Sequence, residues 1–182
     1  MKRLAILLLA FTMPGMAAAT AYKVQPATSQ LGFSAVFQGE SFDGHFGQWT
    51  AAIRYDPANL AASKFDVNVT LASVKTGDSD RDSALPGKAF FDVAQFPRAH
   101  FVTTDFRRDG AQVIADGELT LRGKTRPASL DVSFKPQPGG AILNVAGTVK
   151  RLDFGVGSGD YADTSVIGAD VKIKAHLQLL AK

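Results

Sequence analysis

The chain has 182 residues, with 20 basic and 17 acidic side chains and no cysteine. Without cysteine there can be no disulfide, thiolate nucleophile or Cys-ligated metal. Removing Lys2 and Arg3 with the leader described next leaves 18 basic against 17 acidic residues, and so small a positive charge argues against a nucleic-acid binder.

The first residues predict export. Lys2 and Arg3 precede the apolar run 4–11 (LAILLLAF), which ends before Pro14, and small residues follow at 17–21. This is the pattern of a secretory signal peptide, and its apolar run is too short to span a membrane. We expect residues 1–21 to be removed and residues 22–182 to form a single domain, a length that suits one sizeable core.

Most of the remaining chain alternates apolar and polar residues with a period of two. The clearest run is 171–179, and similar runs occur at 65–71, 113–121 and 130–134. This pattern is typical of antiparallel strands with one buried face. Because the long last strand would be hazardous as an open edge, it favours a closed all-β barrel.

One segment departs from the alternation. Ser79 lies three residues before Asp82, which resembles a capping box, and Pro86-Gly87 ends the run. The sequence therefore predicts a short helix over 79–85 that begins at Ser79 and covers one end of the barrel.

Two glycine-containing motifs suggest nucleotide binding at first sight. Gly123-Lys124-Thr125 ends like a phosphate-binding loop, but Glu118 lies where that loop requires glycine and an alternating run follows instead of a helix. The stretch 155–159 (GVGSG) lacks the third glycine of a dinucleotide fingerprint. We interpret the first as a hairpin turn and the second as a strand connection.

Metal and catalytic patterns are weak. His45, His100 and His176 are far apart in sequence, and no His-x-His or His-Glu pair is present. No Gly-x-Ser-x-Gly motif marks a nucleophile. Phenylalanine is the conspicuous residue instead, with 13 in the chain. Most of these should fill the core, but an eight-stranded barrel can also hold a small ligand, and an apolar lining suits a lipid.

Seven short motifs occur in order and cover the mature chain: Ser29-x-Leu31-Gly-Phe33, Phe42-x-Gly44-x-Phe46, Arg81-Asp82-x-x-Leu85, Phe90-Phe91-Asp92, Phe96-Pro97-x-Ala99-x-Phe101, Gly117-x-Leu119-Thr120-Leu121-x-Gly123-x-Thr125-x-Pro127 and Arg151-x-Asp153-Phe154-Gly155. Together they resemble the YceI-like family of exported, lipocalin-like proteins.

That resemblance implies an eight-stranded antiparallel lipocalin-like barrel that carries a polyisoprenoid chain, or the isoprenoid tail of a quinone, in an interior pocket. It also implies a periplasmic homodimer without metal, catalytic residues or a cofactor other than the bound lipid. We expect transient membrane contact as well. The pocket candidates are Phe33, Phe42, Phe46, Phe65, Phe90, Phe91, Phe101, Leu119, Leu121 and Phe154.

Two basic residues are candidates for the lipid head group. Arg81, with Lys88 nearby, could meet a phosphate or a quinone at the mouth of the pocket, because guanidinium suits phosphate geometry. The competing interpretation is that Arg81 forms an ion pair with Asp78 or Asp82 within the short helix.

Two other functions stay open at this point. An enzyme acting on a small hydrophobic substrate would require at least two of Arg81, His45, His100 and Asp92 to converge inside the barrel. An interaction module, such as a partner of quinone-linked membrane cytochromes or a chaperone, would have a filled interior and an exposed apolar patch.

Overall fold

The computed structural model describes residues 19–182, so the predicted signal peptide lies outside the described residues except for its last three positions. The described range contains eleven strands and one α-helix. Their bounds are β1 Thr20–Val24, β2 Gln30–Phe37, β3 Glu40–Phe46, β4 Trp49–Tyr55, β5 Lys64–Thr70, β6 Val74–Lys75, α1 Ser79–Ala84, β7 Arg98–Asp109, β8 Gln112–Leu121, β9 Lys124–Gln137, β10 Gly140–Lys150 and β11 Asp170–Ala181.

The strands close into an eight-stranded antiparallel barrel; the strand pattern predicted the closed barrel, and the family resemblance implied the eight strands. The ring runs β1-β4-β5-β7-β8-β9-β10-β11 and returns to β1. β2, β3 and β6 continue β1, β4 and β5 beyond short interruptions at 25–29, 47–48 and 71–73. Three of the eight barrel strands are therefore long strands that are each interrupted once. This explains why eleven strand segments form an eight-stranded barrel.

The Gly123-Lys124-Thr125 motif is a hairpin turn between β8 and β9. Arg122 and Gly123 both have positive φ, 51° and 70°, which is the backbone of a two-residue type I′ turn. Lys124 and Thr125 already belong to β9 and pair with Leu121 and Thr120. The motif therefore opens a strand, and the strand register excludes a phosphate-binding loop there.

The segment between β6 and β7 covers one end of the barrel with the predicted short helix. The helix begins at Ser79, as predicted, but Ser79 is not its capping residue: Asp78 is the N-cap, and its carboxylate accepts a hydrogen bond from the Arg81 N–H at 2.9 Å. Aspartate is among the best N-cap residues.

A turn follows the helix at Asp92. This residue has a positive φ of 50°, and its backbone carbonyl accepts hydrogen bonds from the N–H groups of Gln95 and Phe96. This turn brings the aromatic stretch 90–96 back to the barrel.

The barrel has two distinct ends. The β2–β3 hairpin, helix α1, the β8–β9 turn and the connection 151–169 lie at one end, hereafter the helix end. The β7–β8 and β9–β10 turns and the end of β11 lie at the other. Among residues 19–182, no helix combines the length and apolarity needed to cross a bilayer.

Two of the glycines at hairpin turns, Gly123 and Gly139, allow backbone strain to be separated from packing. In Gly123→Ala, the new Cβ would lie 2.7 Å from Phe96 Cε1, and φ is +70°; Gly139, with φ +76°, has nothing within 4 Å of such a Cβ. We expect Gly139→Ala to lower the free energy of unfolding by about 1 kcal/mol through strain alone. Gly123→Ala should lower it by about 2–3 kcal/mol, since overpacking adds to the strain. Urea unfolding of both variants measures the difference, and equal losses would contradict the packing of Phe96 on this turn.

Candidate functional site

Aromatic side chains fill the barrel at the end opposite the helix. Tyr55 is buried at the centre of this cluster, with its ring centroid 4.7 Å from that of Phe134. Phe65 and Phe106 meet edge to face at 4.9 Å. Burial raises the pKa of the Tyr55 hydroxyl above its ordinary value, because the apolar cluster disfavours the charged phenolate. This end of the barrel interior is occupied by the protein's own side chains.

A second aromatic cluster lies towards the helix end. Phe46 has its ring centroid 5.7 Å from that of Phe33 and 6.2 Å from that of Phe91, and Phe33 lies 6.3 Å from Phe42. Phe33 and Phe91 are buried, whereas Phe42 and Phe46 are only partly buried. The rings stand against the walls and leave the space between the two clusters open.

That space is a cavity of about 550 Å³. Its volume falls within the range of ligand pockets, roughly 300–1,000 Å³. The wall is apolar along the barrel, and the cavity reaches the surface at the helix end, where the half-exposed Phe37 and Tyr161 belong to its lining. The barrel interior is therefore a preformed apolar pocket that is closed at one end and open at the other.

All ten apolar side chains singled out from the sequence lie on the wall of this cavity. Their part in binding a lipid stays a prediction. Arg81 also lies on the wall, at the helix end, but Lys88 does not. Lys88 is exposed, and its backbone carbonyl accepts a hydrogen bond from Arg122 at 2.7 Å. The structure thus separates the two predicted head-group residues.

Sequence reasoning missed several wall residues that follow the same alternation as those it found. They belong to the inward faces of β4, β10 and β11: Trp49, Ala51, Ile53, Leu143, Val145, Val149, Val171, Ile173, Ala175 and Leu177. The signal that could have found them is the period-two pattern itself, because a search centred on phenylalanine passed over most of the other apolar residues on the same faces.

The side chain of Arg81 makes two interactions at the mouth. Its guanidinium lies over the ring of Phe42, 4.5 Å from the centroid, in cation–π geometry. Its Nη2 is 3.6 Å from a carboxylate oxygen of Asp78. Its Nε atom is buried but has no hydrogen-bond partner among residues 19–182. The predicted ion pair with Asp78 is therefore present, although at 3.6 Å it is longer than a hydrogen bond.

A second arginine on the wall, Arg151, was not among the site residues predicted from the sequence. It is only 4% exposed and donates to four backbone carbonyls: from Nε to Gly168 at 3.0 Å, from Nη1 to Val156 at 3.0 Å and to Gly157, and from Nη2 to Ile167 at 2.8 Å. Burial lowers the pKa of this guanidinium from its ordinary value. Through these bonds Arg151 links residues 156–157 to residues 167–168 within the connection 151–169. The role of Arg151 is therefore structural.

The histidines do not come together. His100 lies on the wall of the cavity and its Nε2 is 2.9 Å from Asp66 Oδ1. His176 bonds to Asn144 at 2.7 Å, and His45 is exposed on β3. Within the described part of the chain, no cluster of three or more acidic or histidine side chains could hold a metal ion.

Two of the four candidates named for an enzyme, Arg81 and His100, lie on the cavity wall, but within residues 19–182 no hydrogen bond or ion pair joins any two of the four. The recorded side-chain partner of Arg81 is Asp78 and that of His100 is Asp66. Asp92 is buried in its turn, and among residues 19–182 it has no hydrogen bond to Arg81 or either histidine. The arrangement is suited to removing an apolar chain from water, with polar groups confined to the mouth.

Comparison with known proteins agrees with this architecture. A family model described as a YceI-like domain matches residues 22–179. A UPF0312 protein of Photorhabdus laumondii is 29% identical over 147 residues, covering 78% of this chain and 71% of that protein. A UPF0312 protein of Yersinia pestis is 34% identical over 119 residues and 62% of each chain. The matched region therefore spans less than two thirds of the Yersinia relative.

Solved structures share the fold. Burkholderia cenocepacia BcnA superposes with a TM-score of 0.81 at 28% identity, over 85% of this chain and 98% of BcnA. A polyisoprenoid binding domain from Saccharophagus degradans has a TM-score of 0.65 at 16% identity, over 90% and 99% of the two chains. At that identity the second likeness concerns the fold alone.

The carbonyl-only partners of Arg151 predict a large structural role. Arg151→Leu would leave four carbonyls without their donor, and we expect the free energy of unfolding to fall by about 3–5 kcal/mol. The connection 151–169 should also become more sensitive to proteolysis. Arg126→Leu is the control, because Arg126 is exposed and bonds only to its neighbour's carbonyl, and it should change stability by less than about 0.5 kcal/mol. Similar losses in both variants would contradict the assignment.

Proposed function

Because the chain belongs to the YceI-like family, we propose that it binds the long apolar chain of an isoprenoid lipid inside the barrel. The observation that carries this proposal is the preformed cavity of about 550 Å³, apolar along its length and open at one end. The polyisoprenoid binding domain of Saccharophagus degradans, which shares the fold, supports an isoprenoid as the class of lipid.

The energetics favour such a ligand. Burying one carbon of an apolar chain contributes roughly 0.8 kcal/mol, so a five-carbon isoprene unit contributes roughly 3–4 kcal/mol before costs. Association costs several kcal/mol in lost translational and rotational freedom. Two or three buried units offset this cost. The rings of Phe33, Phe46 and Phe91 are already packed against one another, so little ordering of the wall is needed on binding.

The orientation of the lipid follows from the distribution of polar groups. The closed end is filled by the Tyr55 cluster, whereas charged side chains of the lining, including Asp78, Asp80 and Arg81, lie at the helix end. A polar head group left unpaired inside the barrel would lose its hydration. The tail therefore enters first and the head group stays beside helix α1 at the mouth.

The wider role belongs to the same proposal. With the predicted signal peptide, the protein would act in the periplasm to store, transport or scavenge the lipid, as a homodimer in transient contact with the membrane. It would need no cofactor and catalyse no reaction. The interaction-module alternative required a filled interior, and the cavity in the barrel does not favour it.

Blocking the cavity tests the proposal. In Leu119→Trp, an inward-facing wall residue becomes large enough to obstruct the tail, whereas Glu118→Trp places the same ring at the adjacent exposed position. We expect wild type and Glu118→Trp, purified from periplasm without detergent, to yield a stoichiometric isoprenoid by solvent extraction and mass spectrometry. Leu119→Trp should retain less than about a tenth of it, a loss of at least 1.4 kcal/mol of binding.

Two outcomes would contradict the proposal. An extract of the wild-type protein without lipid above background would argue against a carrier of any lipid. Equal lipid in the two tryptophan variants, with both shown by circular dichroism to be folded, would mean that the lipid does not occupy the cavity.

A further inference from the structure

We infer that the barrel measures the length of the chain it binds: it takes about three to four isoprene units and leaves the rest of a longer chain in water. The inference rests on the proposed function and names the size class of the ligand. Its basis is a floor of buried side chains at one level of the barrel, the depth from that floor to the mouth, and the volume between the two.

The inner faces of the strands change from partly buried to buried at one level. On β10, Val149 and Val145 keep accessible surface towards the cavity, whereas Leu143 is 0% exposed. Six residues belong both to the lining and to the buried core of the filled end, opposite the helix, and they form the floor: Ile53, Phe65, Leu130, Leu143, Ala175 and Leu177. The next inward residues of β4 and β11, Tyr55 and Leu179, no longer belong to the lining.

The distance from this floor to the mouth fits a short chain. On β10, Leu143 belongs to the floor, and Val149 lies six positions further along, next to the end of the strand at Lys150. At about 3.4 Å per residue this is about 20 Å along the strand, and about 15 Å along the axis of a barrel whose strands tilt by about 40°. An extended chain advances roughly 1.2 Å per bond, so the four chain bonds of an isoprene unit cover about 5 Å. The depth therefore suits three to four units.

The volume of the cavity leads to the same length. The cavity has a volume of about 550 Å³. A close-packed methylene group takes roughly the share of one water molecule in the liquid, about 30 Å³, so the cavity has room for roughly 18 carbons. A longer chain must leave its excess in water or displace the aromatic cluster behind the floor. The first exposes apolar surface and the second disrupts a close-packed core.

Two positions of the inner face set the limit. Phe65 is 2% exposed, and its ring separates the cavity from Tyr55 and Phe106, whose centroids lie 5.9 and 4.9 Å from its own. A phenyl ring is similar in size to an isoprene unit, so removal of this ring frees about one unit of length. Ala51 precedes Ile53 on the inner face of β4, and its small side chain leaves the space above the floor open.

Four isoprenoid alcohols that differ only in length test the inference: farnesol, geranylgeraniol, geranylfarnesol and solanesol, with three, four, five and nine isoprene units. The protein is incubated with phosphatidylcholine vesicles that contain equal amounts of the four, separated from the vesicles and extracted for mass spectrometry. A unit that moves from the bilayer into the pocket stays out of water, whereas each unit left outside the pocket becomes hydrated. We expect the wild type to retain the first two alcohols within about threefold of each other, and the longer two at least about tenfold less.

Two substitutions should move the limit in opposite directions. Phe65→Ala opens space behind the floor, and we expect it to raise retention of geranylfarnesol about tenfold. Ala51→Phe fills space above the floor and should lower retention of geranylgeraniol about tenfold, while farnesol stays within about threefold. The matched control is Ala52→Phe, which places the same ring at the adjacent exposed position of β4 and should preserve the wild-type selection.

The outcomes separate this inference from the proposed function. Retention of geranylfarnesol or solanesol by the wild type at the level of geranylgeraniol would overturn the inference and leave the proposed function intact. An unchanged length preference in Ala51→Phe, shown by circular dichroism to be folded, would do the same, and this variant decides alone if Phe65→Ala does not fold. Failure of the wild type to retain any of the four alcohols would count against the proposed function itself.

Discussion

The closure of the barrel depends on β11, and the cavity depends on that closure. One edge of β11 pairs with β10 from Lys150 to Gly140. Its other edge pairs with β2 near its start and with β1 near its end. A closed sheet has no exposed edge and a single interior. Once the last strand is joined to the first, every inward side chain faces the same enclosed space.

What remains of that space is decided by the size of the inward side chains. The aromatic cluster around Tyr55 and Phe134 fills one end of the barrel, because large rings pack together there. Along the middle and towards the helix end, five alanines alternate with the larger residues of the wall: Ala35, Ala51, Ala99, Ala128 and Ala175. Protein interiors are normally close-packed. Small residues spread over five strands of a closed barrel therefore leave a volume that the neighbouring side chains do not fill.

The sequence was sufficient for the features that depend on local pattern. Period-two alternation predicted the strands and their inward faces, and the positions of glycine and proline predicted the turns. It also placed Leu119 and Leu121 on the inner face, where the structure has them. The eight-stranded count came from resemblance to a family. Alternation alone does not count strands, since interruptions such as 47–48 divide one barrel strand into two.

The features that the sequence could not provide depend on contacts between distant residues. The carbonyl partners of Arg151 lie 5 to 17 residues further along the chain, and no spacing rule connects them. Lys88 is close to Arg81 in sequence, yet the turn at Asp92 and the bond from Arg122 hold it away from the cavity wall. Proximity along the chain is a poor guide where the chain leaves its regular strands.

The two arginines on the cavity wall show how the same side chain can serve structure in one place and a ligand in another. Arg151 is nearly fully buried, and its N–H groups are directed at carbonyls of the protein. These carbonyls replace water as the acceptors that stabilise its charge. Arg81 is about a third exposed and keeps one buried N–H without an acceptor. Because the N–H groups of Arg151 are already taken by carbonyls, Arg81 is the arginine of the wall to which the proposed head-group contact falls.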